Sequence, residues 1–431
     1  MAFFSVFFIV FIFLVHIISS YFNGLMAYIV FRAIIDWGWT IKLFSGFSVT
    51  AAGSLIPVFF IITKPRWIMR TYYMARQAFP LKVLFFLVLY SMLHWVIDIY
   101  DYSFTQGLSG TIRLSSGIAG AVLFLHLVNT KERYKALLIS ILVLGLISQL
   151  AVILQSYGFF VGYSSLYNNN SLVRNSGLSH GIISIRQYAE FGILASISLF
   201  FMEKKLIIKA LYLTAIVIMC YGIISVHSKA GIFFLLALVL LTSKTFFRTK
   251  EGIFLVISLM FFSIILYTDI VLYMEKVFSK EILSIFINQQ DFNNSNALNG
   301  RAIAWSLFFS KIENAPILDI LLGSYNNLKI GFSGGVHNDF LLNFGRYGVV
   351  GLVIYILMIF SFIVFFLKKG CSRNDRQSSS RVFMYRGLVL IWIIDSIGLQ
   401  PSLYPVLLML LFGFLALSFI DSTDLNNKHD N

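Results

Sequence analysis

The sequence predicts an all-α, polytopic membrane protein: a bundle of about 12 transmembrane helices, with one large helical loop on the outer side ahead of the final three spans. Three observations carry that prediction. The chain is 58% hydrophobic and only 12% charged, against about 25% charged in an ordinary soluble domain. Apolar runs able to cross roughly 30 Å of hydrocarbon as helix recur along its length. Basic residues fall in short clusters on alternate connections between those runs, the pattern of cytoplasmic loops. A net charge of +14 distributed in this way reflects topology rather than nucleic-acid binding. Transmembrane barrels alternate apolar and polar residues and are excluded.

Ala2–Ser20 is the first span. Its opening residues carry neither a charged n-region nor a small-residue cleavage site, so it reads as a span and not a cleaved signal. Tyr21–Ile35, interrupted by Asn23, Gly24 and Arg32, reads as a kinked continuation or an in-plane piece, with a second span as the alternative. Leu43–Ile62 is the next span, and the connection Thr63–Lys82 holds Lys64, Arg66, Arg70, Arg76 and Lys82 with no acid, which places it inside. Val83–Ile97, Thr111–Val128, Ala136–Gln155, Gly181–Met202, Leu206–Ile224, Gly231–Ser243 and Ile253–Leu272 follow as alternating crossings. The clusters at Lys131–Lys135, Lys204–Lys209 and Lys244–Lys250 then all fall inside.

Residues 1–272 thus form a bundle of about nine spans. Residues 273–348 form an extracytoplasmic loop, expected to be catalytic. Residues 349–420 hold three more spans, Val349–Leu367, Gly387–Leu399 and Val406–Ile420, and residues 421–431 a polar cytoplasmic tail. Both termini are expected in the cytoplasm. Within the loop, Phe278, Ile282, Ile285 and Phe286 share one helical face, and Arg301–Ile312 reads as a second helix. Such helices suit the membrane interface; a solvated loop with chance periodicity is the alternative.

The positive-inside bias disfavours basic residues outside. Yet Arg174, Arg186, Lys229, Arg301 and Arg346 all map to the outer face or to outer ends of spans. The arginine fork matches phosphate oxygens, so this set suggests an anionic substrate at the outer leaflet, such as a lipid pyrophosphate. Headgroup snorkelling is the plainer reading of any one of them. Arg113, Glu190 and Asp395 are sparse mid-span charges near helix ends. His337 follows Gly334-Gly335-Val336 and precedes the long apolar run, and an imidazole there can take a proton from a hydroxyl. Asn338 and Asp339 are its candidate orienting residues. A plain surface histidine is the alternative; His180 and His227 are weaker candidates.

Gly177-Leu178-Ser179-His180-Gly181 spells G-x-S-x-G, but that elbow needs a strand–turn–helix in a hydrolase sheet and here it opens a span. The two cysteines, Cys220 and Cys371, imply no disulfide framework. No Walker, zincin or C-x-x-C motif occurs, so neither a metal nor a cofactor is expected.

Three segments resemble the O-antigen polymerase and O-antigen ligase family of polytopic bacterial glycosyltransferases. Arg174-Asn175-Ser176-Gly177 is similar to its R-x-x-G element, and Ser228-Lys229-Ala230-Gly231 to its S-R-x-G element, with lysine in place of arginine. Gly300-Arg301, Trp305, Pro316 and Gly323, followed by His337-Asn338-Asp339-Phe340-Leu341 and Gly348-Val349-Val350-Gly351, resemble its large periplasmic loop. The resemblance implies a catalytic His337 and pyrophosphate- or glycan-binding roles for Arg174 and Arg301. Lys229 is a point charge that cannot make the bidentate fork. Arg186 and Arg346 are candidates by position. The implied donor is an undecaprenyl-pyrophosphate-linked oligosaccharide in a lipid membrane, with a chain-length regulator as a further candidate partner and no nucleic acid. The implied activity is repeat-unit polymerisation; ligation to lipid A–core and, in another class, transport of the lipid-linked sugar are the alternatives.

Overall fold

The computed structural model describes residues 2–44, 47–75, 78–97, 104–159, 164–167, 170–179, 181–226, 228–246, 252–253, 257–258, 271, 301–323, 337–368, 376–401 and 404–419. They form a helical bundle. Helices α1 (Ala2–Ile18), α2 (Tyr21–Asp36), α3 (Val49–Ile62), α4 (Pro65–Ala75), α5 (Phe79–Ile97), α6 (Phe104–Leu127) and α7 (Lys131–Ser156) build the first half. α8 (Ile182–Met202), α9 (Leu206–Ser225) and α10 (Lys229–Phe246) follow, then α11 (Arg301–Glu313) and α12 (Ile317–Leu322). The last three are α13 (Asp339–Lys368), α14 (Arg376–Gly398) and α15 (Pro405–Phe419). Among the described residues, four helical stretches are long and apolar enough to cross a membrane: Gly110–Leu127, Lys131–Ser156, Leu206–Ser225 and Asp339–Lys368.

The core is built around α8 and α15. Every residue of α8 from Ile185 to Phe200 and of α15 from Val406 to Ser418 is buried, as expected of a helix that is apolar on all sides. Small residues let the backbones approach. A Cβ on Gly120 of α6 would stand 2.0 Å from the Met409 carbonyl oxygen of α15, and one on Gly145 of α7 would stand 3.0 Å from Gly192 Cα of α8. That is how helices pack where lipid gives no hydrophobic drive between them. Large apolar side chains point outward from α1, α5, α9, α10 and α13.

The helices sort into two ends. At one, basic connections meet: Tyr21 bonds Thr63 at 3.1 Å, Lys135 bonds Glu203 at 2.9 Å, Tyr134 bonds Ser380 at 2.8 Å, and Arg376 donates to the Phe201 carbonyl at 3.4 Å. At the other, Ser5 donates to the Ile34 carbonyl, Arg32 to Ser54, Ser116 to the Pro405 carbonyl and Asn338 to the Ile397 carbonyl. We call these the basic end and the site end.

Several expectations change. α2 is neither a kinked continuation of α1 nor an in-plane piece. The Ser5–Ile34 bond at 3.0 Å makes it a full antiparallel leg, entered through an N-cap in which Ser20 Oγ accepts from Asn23 N–H at 3.2 Å. In consequence α1 starts at the site end while α15 stops at the basic end, where Phe419 stacks on Phe365 at 4.3 Å. The two ends of the described chain therefore do not share a side of the bundle. The span expected from Leu43 begins only at Val49, because strands β1 (Lys42–Phe44) and β2 (Phe47–Ser48) pair antiparallel ahead of it. A second hairpin, β3 (Ser164–Tyr167) with β4 (Asn170–Asn175), lies in the connection between α7 and α8. The connection after α3 holds the helix α4. The expected helix around Phe278–Phe286 and the span Ile253–Leu272 lie outside the described residues, apart from 253, 257, 258 and 271.

α13 starts ten residues before the expected span and is kinked at Gly348 (φ 64, ψ −162). The division expected between loop and span at residue 348 thus falls at this kink. α12 is clasped into it: a Cβ on Gly348 would stand 2.3 Å from the Leu321 carbonyl oxygen, and one on Gly323 (φ 90) 2.5 Å from the Gly348 nitrogen. α11 follows the expected Arg301–Ile312 helix and buries Phe308 against Leu341 and Phe344 of α13. The described part of the loop therefore packs on the start of α13.

Candidate functional site

α8 carries the site because three polar residues interrupt its buried apolar surface near its start, at the site end. Arg186, Gln187 and Glu190 are all at or below 1% exposure. Isolated charge is costly in such surroundings; Arg186 and Gln187 are hydrogen-bonded across helices, while Glu190 makes only an ion-pair contact. Arg186 Nη2 donates to both oxygens of Asp395 on α14, at 2.6 and 2.6 Å. Gln187 Nε2 donates to Asp395 at 2.7 Å, and Arg186 Nε lies 3.6 Å from Glu190 one turn on. The guanidinium is thus held between two carboxylates, while its Nε and Nη1 make no hydrogen bond among the described residues. Gly231 lets α10 close over it: a Cβ there would stand 3.2 Å from Arg186 Cδ. Lys229, the first residue of α10, is placed beside this packing contact and is half-buried.

A second ion pair lies alongside. Arg32 and Asp36 of α2 pair at 2.8 Å, Arg32 also donates to Tyr28 and Ser54 at 3.2 Å each, and the Asp36 carboxylate accepts from the Tyr188 hydroxyl of α8. Beside this second pair opens a cavity of about 330 Å³, lined by Arg32, Asp36, Arg113, Gln187, Tyr188 and Tyr404 together with serine and threonine hydroxyls. Its size is within the range of small-ligand sites. Every helix that lines it does so with its site-end turns. Tyr404, just ahead of α15, is within electrostatic reach of Asp395, Arg186, Arg113 and Asp339, and burial pushes its hydroxyl pKa up from the ordinary phenol value.

The His337 segment docks on the end of α14 that also carries Asp395, and it does not line the cavity. His337 has φ 46, a left-handed conformation uncommon outside glycine. Asn338 then caps α13: Leu341 N–H donates to its Oδ1 at 3.1 Å while its Nδ2 donates to the Ile397 carbonyl at 3.2 Å. Asp339 is fully buried and its carboxylate accepts from the Tyr355 hydroxyl, which meets Ser396 at 3.0 Å. Ser396 and Ile397 directly follow Asp395. The two expected orienting residues thus fasten the turn that bears His337 to the end of α14. Arg346 lies before the Gly348 kink, and its Nη1 would be 3.6 Å from a Cβ on Gly110 of α6. Arg113 is three residues further along, on the same face of that helix. Arg174 lies in β4, opposite Ser165, and Arg301 opens α11; the side chains of both are outside the described set. Gly177 (φ 53) turns the chain from β4 toward the cavity wall, and its N–H donates to Gln155 at 2.7 Å.

Arg32, Arg113 and Tyr404 are cavity residues the sequence reading did not place there. Arg113, like the expected cations, is a charge near one end of an apolar helix, here the site end of α6. Arg32 was obscured by the reading of α2. Among the described residues no group of His, Cys, Asp and Glu is arranged to hold a metal. No protein-family model and no curated protein matches this sequence.

Proposed function

We propose that the chain is a glycosyltransferase of a bacterial inner membrane. It would move glycan from undecaprenyl pyrophosphate to the hydroxyl of a lipid-linked acceptor at the outer face, extending a surface polysaccharide by repeat units. One observation carries the reading: polar and charged side chains gather around a cavity at the end of the bundle opposite the basic connections. With the basic end in the cytoplasm, the cavity opens outward, where a lipid-linked donor presents its diphosphate. α2 then adds a crossing to the expected about 12, and α1 begins outside.

In the proposed step, His337 takes the proton of the acceptor hydroxyl. The acceptor oxygen bonds to the anomeric carbon, the bond from that carbon to the phosphate oxygen breaks, and the lipid pyrophosphate leaves. Arg113 and Arg346, with Arg174, Arg301 and Lys229, stabilise the charge on that leaving group. Arg186 positions the site through Asp395. The sugar–phosphate bond supplies the driving force, so the proposal invokes no nucleotide or metal.

A transporter would need a polar route onward to the basic end. Below Glu190 the core faces of α8 and α15 are apolar apart from Ser196, Ser198 and Ser418, which favours chemistry at one face. The testing experiment is deletion followed by gel analysis of surface lipopolysaccharide. Loss of a polymerase leaves lipid A–core bearing a single repeat unit. Lipid A–core with none attached, and long chains retained on the carrier, would mean ligation to lipid A–core instead. An unchanged pattern overturns both.

A further inference from the structure

Both ends of α4 are tied to the basic end: Pro65 follows the close of α3, and Ala75 leads to the start of α5. The helix therefore runs across that end of the bundle. Its inward side is fixed. The Trp67 ring stacks on His126 of α6 at 5.0 Å and 8°, Thr71 meets the same histidine at 3.5 Å, and Trp67 packs on Tyr21 at 5.5 Å. Its outward side mixes two chemistries. Arg66 and Arg70 are exposed, and Met69, Tyr72 and Tyr73 beside them are 55%, 46% and 55% exposed. Arg66, Met69, Arg70 and Tyr73 fall at i, i+3, i+4 and i+7, one face of the helix. No acidic residue occurs from Lys64 to Lys82. Water would not reward the apolar members of this face, and hydrocarbon would not accept the arginines. The headgroup layer of a membrane accepts both.

We infer that the outward face of α4 is a binding site for anionic phospholipid headgroups in the leaflet at the basic end. Arg66 and Arg70 contact phosphate, while Met69 and Tyr73 reach the acyl boundary. The inference is independent of the proposed transferase activity, since it needs only that the bundle sits in a membrane.

Phosphatidylglycerol and phosphatidylcholine are titrated separately into the full-length protein in detergent, and bound lipid is read by native mass spectrometry. The wild type is expected to bind phosphatidylglycerol more tightly than phosphatidylcholine. Arg66→Gln with Arg70→Gln should weaken phosphatidylglycerol binding by about fivefold for each arginine, the typical surface attraction of one basic residue. Arg66→Lys with Arg70→Lys should keep it, which separates lost charge from lost fold. Lys204→Gln with Lys205→Gln, an equal charge loss elsewhere at the basic end, should leave it unchanged. Equal binding of the two lipids by the wild type overturns the inference, as does an equal loss in the lysine control. A glutamine variant that keeps its phosphatidylglycerol overturns it too, including one that sheds a co-purifying acidic protein instead.

Discussion

Arg186 and Asp395 are 209 residues apart in sequence and meet through one guanidinium nitrogen that donates to both carboxylate oxygens, at 2.6 and 2.6 Å. The contact joins α8 to the last turns of α14. Those same turns hold the His337 segment, through the Ile397 carbonyl and Ser396. A buried pair of this kind adds little net stability over an apolar pair, because desolvation offsets the attraction. Its value here is registration: it fixes the surface on which Asn338 and Tyr355 place the turn.

Removing one partner should therefore be far worse than removing both. Asp395→Ala leaves the Arg186 cation buried with only Glu190 at 3.6 Å, at an expected cost of about 3–5 kcal/mol. Arg186→Met combined with Asp395→Leu should recover much of that. Thermal unfolding followed by size-exclusion in detergent reads both; equal losses in single and double variants would show that the pair has no such registering part.

Gly348→Ala tests the kink in α13. The residue has φ 64 with ψ −162, a conformation open essentially to glycine alone, and an added Cβ would stand 2.3 Å from the Leu321 carbonyl oxygen. Strain and collision together should cost about 2–4 kcal/mol locally and release α12 from the clasp. Limited proteolysis should then cut near residues 317–323 while α13 stays protected. Unchanged protection would mean that α12 is held elsewhere.

The periodicity and charge of the sequence made the helices and the two ends legible, because positive charge marks loops on one side whatever the packing. Three kinds of feature were not legible. α2 has Arg32 and Asp36 in what should be an apolar leg, and only their mutual pairing at 2.8 Å makes that leg tolerable. The β-hairpins and α4 are short elements in polar connections, where period carries little signal. The contact of Arg186 with Asp395 was hidden because the two are 209 residues apart and a pattern of spacing cannot pair them. His337, Asn338 and Asp339 were legible as a unit, although the latter two turn out to fasten the segment through α13 and α14.

Lys135 and Glu203 predict an acid sensitivity at the basic end. The Lys135 side chain donates to the Glu203 carboxylate at 2.9 Å. That bond, with the backbone N–H groups of Lys204 and Lys205, lowers the Glu203 pKa from 4.5 to about 2. The folded value is depressed, so the stabilising contribution is complete above 4.5 and is lost as pH falls from there through about 2. Lys135→Gln removes the largest cause and should flatten that part of the stability–pH curve. Helical circular dichroism with denaturant across this window tests it; parallel curves for the two proteins would assign the acid sensitivity to other groups.

His337→Ala should abolish chain extension while leaving the protein inserted and folded, since Asn338 and Asp339 fasten the turn through Ile397 and Tyr355. If the group is the base, His337→Gln should be as inactive as alanine, because it keeps a polar side chain but cannot carry the proton. Membrane-fraction blots and polysaccharide gels read the two properties separately. Normal chains from either variant would remove His337 from the mechanism.

Arg113 offers the sharpest test of the cavity, because it lines the wall and stands on the face of α6 that also carries Gly110, beside Arg346. If it stabilises a departing diphosphate, Arg113→Gln should lower the turnover of purified protein on a lipid-linked donor by about 10²-fold or more, the usual scale for one preorganised contact to developing charge. The effect should lie in kcat more than in KM, because the charge develops in the transition state. Arg113→Lys should restore only part of it, since a point charge replaces a planar fork. A change confined to KM would instead assign Arg113 to ground-state binding of the donor, and unaltered kinetics would place the transfer step outside this cavity.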